Sequence, residues 1–196
     1  MLHHGRPKHH VRVFSHSVQK QFIRTMISAM PNIMHVFCSS QSIQHQNYWT
    51  LLGAIKKRIS QHFSHQNQGV RILAVRFMQT IIRIQSVSPI DPISINLVPL
   101  DHPYLQKAEL QIECTAFVNQ FNYFLSHTDQ FMPSPSFISA VLNSTFEILK
   151  SRPQFGYQCI EAFLKCAKNP RTPNSSSLDV RMLQKNLKVV LLSCFA

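Results

Sequence analysis

The sequence GVRILAVRFMQTIIRIQ at residues 69–85 decides the fold. Its apolar side chains recur at intervals of three and four residues, which places them along one face of an α-helix. These apolar positions are Val70, Leu73, Ala74, Phe77, Met78, Ile81 and Ile82. Arg71, Arg76 and Arg83 fall outside this stripe, and the stretch contains no acidic residue. We therefore predict a central helix with one buried face and one cationic face.

Length and charge limit the class of protein. A chain of 196 residues with 44% hydrophobic residues has the size and composition of one folded domain or of one block of a repeat array. The net charge of +12 is uneven: residues 1–90 contain eleven Lys and Arg and no Asp or Glu, whereas residues 91–196 contain nine Lys and Arg and eight Asp and Glu. Such a field favours a polyanion or an acidic protein surface as the partner.

The cysteines and the apolar runs indicate the redox state of the cellular compartment and whether the chain spans a membrane. The five cysteines are scattered singly, and an odd number without paired spacing argues for a reducing compartment rather than a disulfide framework. No run of eighteen apolar residues is present, so no membrane span is expected. The N-terminus lacks the apolar core of a secretory signal.

Helical periodicity recurs along the chain and predicts about seven amphipathic helices and no strand. The predicted helices span residues 16–38 (interrupted by Pro31), 47–63, 69–85, 103–126, 135–151, 153–168 and a last helix capped by Ser176 or Ser177. The positions expected to face inward outside the central helix include Val18, Phe22, Met26, Met30, Ile33, Met34, Phe37, Tyr48, Leu51, Leu52, Ile55, Ile59, Phe63, Leu105, Ile112, Ala116, Phe117, Phe121 and Leu164.

Residues 86–103 interrupt the helical pattern because they contain four prolines. The segment also holds seven Ile, Leu and Val residues, so we predict an ordered loop packed along the helices. It ends at Asp101, His102 and Pro103, a pattern that predicts a helix start with a polar cap followed by proline.

Helix pairs of about 40 residues joined by short turns are typical of HEAT-type α-solenoids. We therefore predict an all-α, HEAT-like solenoid over residues 16–196, preceded by a disordered His- and Arg-rich tail at residues 1–15. The repeats are not self-similar, so a compact irregular bundle is the alternative. The tail contains His3, His4, His9 and His10, but no other part of the chain offers a matching ligand set, and we predict no metal site and no cofactor.

Four blocks of the sequence carry a resemblance to a known family. They are NQGVRILAVRFMQTIIRI, INLVPLDHPYLQKAELQIE, SFISAVLNSTFEILKSRPQF and VRMLQKNLKVVLLS. In order and spacing they resemble the N-terminal domain of the symplekin family, and the resemblance covers about residues 16–195. Because the family domain has further helices before this region, we expect the chain to lack the leading helices.

The resemblance implies a non-catalytic, HEAT-like scaffold of the nuclear machinery that cleaves and polyadenylates pre-mRNA. It implies that the concave helical face holds the phosphatase that acts on the RNA polymerase II C-terminal tail. It also implies that other cleavage and polyadenylation subunits are partners.

The candidate partner-binding residues are basic. The family's basic position on the central helix matches Arg76, which lies off the apolar stripe and can bond a partner carboxylate with both arms. Arg83 lies nearly on the same face, and Lys185 and Lys188 on the last helix would extend a basic strip. A solvated surface residue is the alternative for each, and Asn186 is predicted to bond a neighbouring helix or loop.

The sequence shows no arrangement of residues that is typical of an enzyme active site. Asp101 and His102 adjoin each other at a predicted helix start, where capping is the expected role. Cys159 and Cys166 have a spacing that fits core packing. The alternative function is weak, direct RNA binding by the basic first half of the chain. This half contains a basic cluster, Lys56, Lys57 and Arg58, and the nearest aromatic residues are Tyr48, Trp49 and Phe63. No RNA-binding module signature appears.

Overall fold

The computed structural model describes residues 15–40, 42–89, 91, 94–131, 133–168 and 176–194. In these ranges it contains eight α-helices and no strand, which confirms the predicted all-α fold. The helices are α1 (His16–Ser39), α2 (Ile43–Gln61), α3 (Gln68–Gln85), α4 (Lys107–Ser126), α5 (Thr128–Phe131), α6 (Pro135–Ser151), α7 (Gly156–Lys168) and α8 (Ser177–Cys194). The predicted tail, with its four histidines, lies outside the described residues except for Ser15.

The helices are arranged in two layers, as in a solenoid. In the first, which we call the A layer, α1 packs on α3, α3 on α6 and α6 on α8. In the second, the B layer, α4 packs on α7, and an ion pair between Lys56 and Glu113 ties α2 to α4. Apart from the short α5, successive helices alternate between the layers, which is the arrangement that the HEAT-type prediction requires.

Helix α3 separates two halves of the hydrophobic core. Val75, Met78 and Ile82 pack with residues of α4, α6, α7 and α8. Val70 and Phe77 pack instead with residues of α1, α2 and the loop before α4. Nine residues of α3 are buried, more than the predicted stripe contains, because neighbours cover the helix on several sides. The central role predicted for this helix is therefore confirmed.

Side-chain caps fix where several helices begin. The Asn67 side chain accepts a hydrogen bond from the N–H of Val70 at 3.2 Å, and Ser134 Oγ accepts one from Phe137 at 3.4 Å. At α8, Ser176 Oγ accepts from the N–H of Asp179 at 3.1 Å, and the Asp179 carboxylate accepts from the N–H of Ser176 at 3.3 Å. This reciprocal pair is a capping box, and it confirms Ser176 as the predicted cap.

The predicted helix start at Pro103 is wrong, since α4 begins at Lys107. The reason is the buried ring of His102, whose Nδ1 accepts hydrogen bonds from the N–H groups of Leu105 at 3.0 Å and Tyr104 at 3.4 Å. Its Nε2 lies 2.9 Å from the carbonyl oxygen of Phe37. A neutral ring that donates from Nε2 satisfies all three contacts, so residues 102–105 form a turn that ties the loop to α1.

Several residues predicted to face inward are exposed. On α1 and α2 these are Val18, Phe22, Tyr48 and Leu51, and on the B layer they are Ile112, Ala116 and Leu164. The predicted positions Met26, Met30, Met34 and Phe37 of α1 are buried, and Ile23 is buried in place of Phe22 on the side that meets α3. The apolar stripe that periodicity predicts is therefore wider than the helix face that packs against neighbouring helices.

Lys56, one of the three residues of the basic cluster on α2, has a buried side chain. Its ammonium lies 2.5 Å from the Glu113 carboxylate and 4.8 Å from the centre of the Trp49 ring. Side-chain exposure is 4% for Lys56 and 31% for Glu113. The two charges therefore differ in their access to water, which makes the pair asymmetric.

This asymmetry predicts unequal effects of removing each partner. Glu113→Ala leaves a buried ammonium without its counter-charge and is expected to lower the free energy of unfolding by about 3 kcal/mol. Lys56→Met leaves a carboxylate that water can reach and keeps the buried volume, so the expected loss is below about 1.5 kcal/mol. Urea unfolding followed by circular dichroism measures both. Equal losses would contradict the asymmetry.

The loop between α3 and α4 is ordered over its described residues, as predicted. Of the apolar residues in this loop, Ile95 and Val98 are buried, whereas Leu97 and Leu100 are exposed. A short 3-10 turn at Ile95–Leu97 begins at Ser94, whose hydroxyl accepts from the N–H of Asn96 at 3.3 Å. The loop therefore closes one end of the core beside α1 and α3.

Candidate partner-binding site

Arg76 projects from the middle of α3 into solvent. The side chains on either side of it in sequence, Val75 and Phe77, are buried, so the helix itself fixes which way Arg76 points. Among the described residues its guanidinium has no hydrogen-bond or ion-pair partner, and its backbone carbonyl accepts from the Thr80 hydroxyl at 3.0 Å. The donors of Arg76 are therefore available to a ligand.

Arg83 lies on the same exposed strip of α3, separated from Arg76 by the half-buried Gln79 and Thr80. Its guanidinium donates to the Asp91 carboxylate at 2.8 Å, and its side chain is 49% exposed. The structure thus brings Arg76 and Arg83 to one face. Because Asp91 offsets the charge of Arg83, Arg76 supplies the larger unbalanced charge.

Arg152 contacts both members of the Arg83–Asp91 ion pair from the protein interior. Its fully buried guanidinium donates to Ser86 Oγ at 2.7 Å, to the carbonyl of Ser151 at 2.8 Å and to the carbonyl of Arg83, and lies 3.4 Å from Asp91. Burial lowers the pKa of Arg152, while the Asp91 carboxylate opposes that shift. The sequence pattern identified Arg152 only as the end of a helix, since its partners on the other side of the contact, Arg83, Ser86 and Asp91, lie more than sixty residues away.

Lys185 and Lys188 are both exposed on α8, whose buried residues include Leu183 and Leu187. Lys188 borders a groove between α7 and α8 that also contains Ala167 and Leu191. It therefore sits on the side of α8 that meets the B layer. The two lysines stay predicted binding residues, on a different helix from the Arg76 strip.

Asn186 has the structural role that was predicted for it. Its side-chain Nδ2 donates to Oδ1 of Asn143 on α6 at 3.2 Å. This bond fixes the rotation of α8 relative to α6 and keeps the lysines on either side of Asn186 exposed.

Lys20 on α1 is a further cation beside α3, which the helical periodicity does not identify. A β-carbon at Gly69 would lie 2.8 Å from Lys20 Cε and 2.9 Å from its Nζ, so the missing side chain at Gly69 lets this lysine cross the first turn of α3. The signal was present in the central stretch, which begins with glycine at the entry to its helix. Lys20 adds a cation beside α3 in the A layer.

The described residues do not form an evident catalytic or metal site. None of their His, Cys, Asp and Glu side chains come together in a group of three or more that could hold a metal ion. Burial raises the pKa of the Cys159 thiol to about 12 and the pKa values of Cys114 and Cys166 to about 11, so these thiols stay protonated at neutral pH. Cys159 and Cys166 lie in the core, as predicted.

Of the helices that the structure describes, none combines the length and the apolar character needed to cross a membrane. The arrangement that the structure does show is a rigid helical layer with exposed cations, suited to hydrogen bonds with a carboxylate or another anion.

Comparison with known proteins agrees with this picture. The chain matches the family described as Symplekin/PTA1 N-terminal over residues 15–195. It is 25% identical over 193 residues to the mRNA cleavage and polyadenylation specificity factor complex subunit pta1 of Schizosaccharomyces pombe, an alignment that covers 92% of this chain and 28% of that protein. The chain thus spans less than a third of the length of this relative. Because the family match covers nearly all of its residues, the chain belongs to the Symplekin/PTA1 N-terminal family.

Proposed function

We propose that this chain is a non-catalytic scaffold in mRNA cleavage and polyadenylation, and that it works in the nucleus. The relative in S. pombe is, by its printed name, a subunit of an mRNA cleavage and polyadenylation complex. Membership of the same family supports the same process for this chain, with other subunits of such a complex as partners.

We further propose that the exposed face of the A layer holds the phosphatase that acts on the RNA polymerase II C-terminal tail. The observation that carries this proposal is the position of Arg76, which is exposed and without a partner among the described residues on the most deeply packed helix. A guanidinium on a fixed helix gives up little backbone freedom on binding, and its planar fork suits a carboxylate.

The other predicted residues contribute less to phosphatase binding than Arg76 in this proposal. Arg83 extends the strip but shares its charge with Asp91, so it is a secondary contact. Lys185 and Lys188 act through long-range attraction, because they lie on α8 at the far end of the A layer from α1.

Arg76→Ala is expected to weaken phosphatase binding by about 1–3 kcal/mol, the range for losing a charged hydrogen-bond partner. The helical circular-dichroism signal should not change, since the Arg76 side chain touches no buried partner. Isothermal titration calorimetry with the purified phosphatase measures the effect.

The matched control is Lys57→Ala, which removes the same charge from an exposed position on α2 in the B layer. If Arg76→Ala and Lys57→Ala weaken binding equally, the contact is a general attraction to a basic protein. Unchanged binding of Arg76→Ala would remove that residue from the site.

Direct RNA binding is the second candidate, favoured by the exposed ring of Tyr48 in the acid-free first half of the chain. RNA affinity would fall steeply with salt, and loss of any exposed cation in that half would weaken it similarly. Phosphatase docking would depend instead on a few positions such as Arg76. A salt titration with a single-stranded RNA therefore separates the two functions.

A further inference from the structure

A pocket opens between the turn that follows α2 and the last turns of α4. Its floor is aromatic and buried, since Phe63 and Phe124 are 7% and 2% exposed. Its walls are aromatic and accessible, since Tyr123 and Phe131 are 53% and 49% exposed. The pocket encloses about 390 Å³, which is within the range of pockets that hold a ligand. Arg71 also lines it, so we call it the Arg71 pocket.

The Arg71 guanidinium is held in one orientation. Its Nε donates to the carbonyl oxygen of Phe63 at 3.0 Å, and its central carbon lies 3.7 Å from the centre of the Phe137 ring. The protein therefore occupies one edge and one face of this planar group. The terminal N–H groups of Arg71 have no hydrogen-bond partner among the described residues, so they remain available as donors at the pocket.

Arg71 also lacks a carboxylate partner within the chain. The buried Lys56 pairs with Glu113, and the buried Arg152 lies 3.4 Å from a carboxylate. All eight Asp and Glu of the sequence belong to the described residues, and none of them forms an ion pair with Arg71. Burial lowers the pKa of Arg71, because its charged form is less well solvated there. An acidic side chain that balances this charge must therefore come from another molecule.

The Arg71 pocket lies in the middle of the helical stack. Helices α1 and α2 pack on one side of α3, and α6 packs on the other. Neither α1 nor α8, the first and the last helix described, lines the pocket. The pocket is also separate from the Arg76 strip, because five residues turn an α-helix by about 140°.

The surroundings of the pocket favour a single carboxylate over other anions. Phosphate groups are recognised by clusters of arginine, whereas Arg71 is the one charged side chain among the described residues that line this pocket. A nucleic acid strand needs a basic track, but α5 and the half of α4 that borders the pocket contain no Lys or Arg. Asp129, which is exposed two residues before Phe131, adds a negative charge there. A carboxylate carries one charge and accepts two parallel hydrogen bonds from a guanidinium.

We infer that the Arg71 pocket binds a segment of a partner protein in which an acidic side chain adjoins an aromatic one. The carboxylate of this segment accepts hydrogen bonds from the terminal N–H groups of Arg71. The aromatic ring of the segment enters between Tyr123 and Phe131 and packs on the aromatic floor, where ring pairs are favourable. The side-chain amide of Gln120, which also lines the pocket, provides a donor and an acceptor for the backbone of the segment.

The probe is a short fluorescent peptide that contains Glu-Phe between glycine and serine residues. A second peptide has glutamine in place of the glutamate and keeps its size. Fluorescence anisotropy with the full chain should show saturable binding of the glutamate peptide. The glutamine peptide should bind about tenfold more weakly, because it lacks the charge that Arg71 recognises.

Three variants test the named contacts. Arg71→Gln should weaken binding of the glutamate peptide by about tenfold or more and remove the difference between the two peptides. Arg71→Lys keeps the charge but loses the planar fork, so it should retain only part of the affinity. Phe131→Ala should weaken both peptides by about threefold or more, because it removes a ring of the wall. Since the Phe131 ring is accessible, this variant tests the pocket without changing the core.

Arg24→Gln is the matched control, because it removes the same charge from an exposed position on α1 that does not line the pocket. It should alter binding of the glutamate peptide by no more than about twofold. Arg71→Gln and Phe131→Ala should keep the circular-dichroism spectrum and the phosphatase affinity of the unmodified chain. This test is therefore independent of the proposed function.

Four results would overturn the inference. The first is the absence of saturable binding of the glutamate peptide. The second is equal affinity for the two peptides, or equal loss in Arg71→Gln and Arg24→Gln, which would show unspecific attraction. The third is tighter binding when phosphoserine replaces the glutamate, which would make phosphate the recognised group. The fourth is saturable binding of a single-stranded RNA that Arg71→Gln removes, which would make a nucleic acid the occupant.

Discussion

Replacement of Arg152 by alanine is expected to lower the free energy of unfolding by about 3–5 kcal/mol, the range for breaking a buried charge network. Arg152 donates to carbonyl groups at the ends of two helices, that of Arg83 in the last turn of α3 and that of Ser151 at the end of α6. The carbonyl of Ser151 also accepts a hydrogen bond from the Ser88 hydroxyl at 3.2 Å, so alanine leaves chiefly the carbonyl of Arg83 without its side-chain donor. Urea unfolding monitored by circular dichroism measures the loss.

Arg152→Ala also removes the buried cation beside Asp91, which then keeps Arg83 as its cation. We therefore expect the attachment of the loop that follows α3 to weaken, while the hydrogen bond from Ser88 to the carbonyl of Ser151 remains. Arg181→Ala is the control, since Arg181 is exposed on α8, and it should change stability by no more than about 0.5 kcal/mol. A similar small effect of Arg152→Ala would show that the network contributes nothing to folding.

Phe137→Ala is expected to cost about 3–5 kcal/mol, as for other large-to-small changes of a buried phenylalanine. The ring is fully buried at the start of α6, with ring centres 5.3 Å from Phe63 and 5.1 Å from Phe124. The Arg71 guanidinium lies 3.7 Å from the centre of the same ring. Alanine therefore creates a cavity and removes the surface on which a half-buried cation stacks.

Phe137→Leu keeps most of the volume and should cost less, about 1–1.5 kcal/mol. Tyr157→Ala is the matched aromatic control, because Tyr157 is 85% exposed on α7 and should tolerate truncation. Thermal unfolding of the three variants gives the ranking. Equal effects of Phe137→Ala and Tyr157→Ala would contradict the assignment of Phe137 to the core.

The sequence contains enough local information to predict the helices and many of their ends. Periodicity identifies α3, and Ser134 and Ser176 mark helix starts because their hydroxyl groups satisfy backbone donors three residues later. The exposed position of Arg76 follows from the same argument, since it lies between buried neighbours on a helix.

Long-range contacts are what the sequence does not reveal. His102 resembles part of a helix start, but its ring bonds Phe37 and thereby delays α4 until Lys107. The sequence around Lys56 is typical of a surface cation, but the side chain is buried because it forms an ion pair with Glu113. Val18 and Tyr48 have the spacing of core residues although they are exposed, because periodicity does not say which neighbour covers an apolar stripe.

The most direct test of the proposed phosphatase binding to the A layer is a titration of the purified phosphatase into the purified chain. Size-exclusion chromatography beforehand establishes that the chain is a folded monomer. The account predicts saturable one-to-one binding that Arg76→Ala weakens and Lys57→Ala does not. A folded monomer that does not bind the phosphatase would contradict the claim.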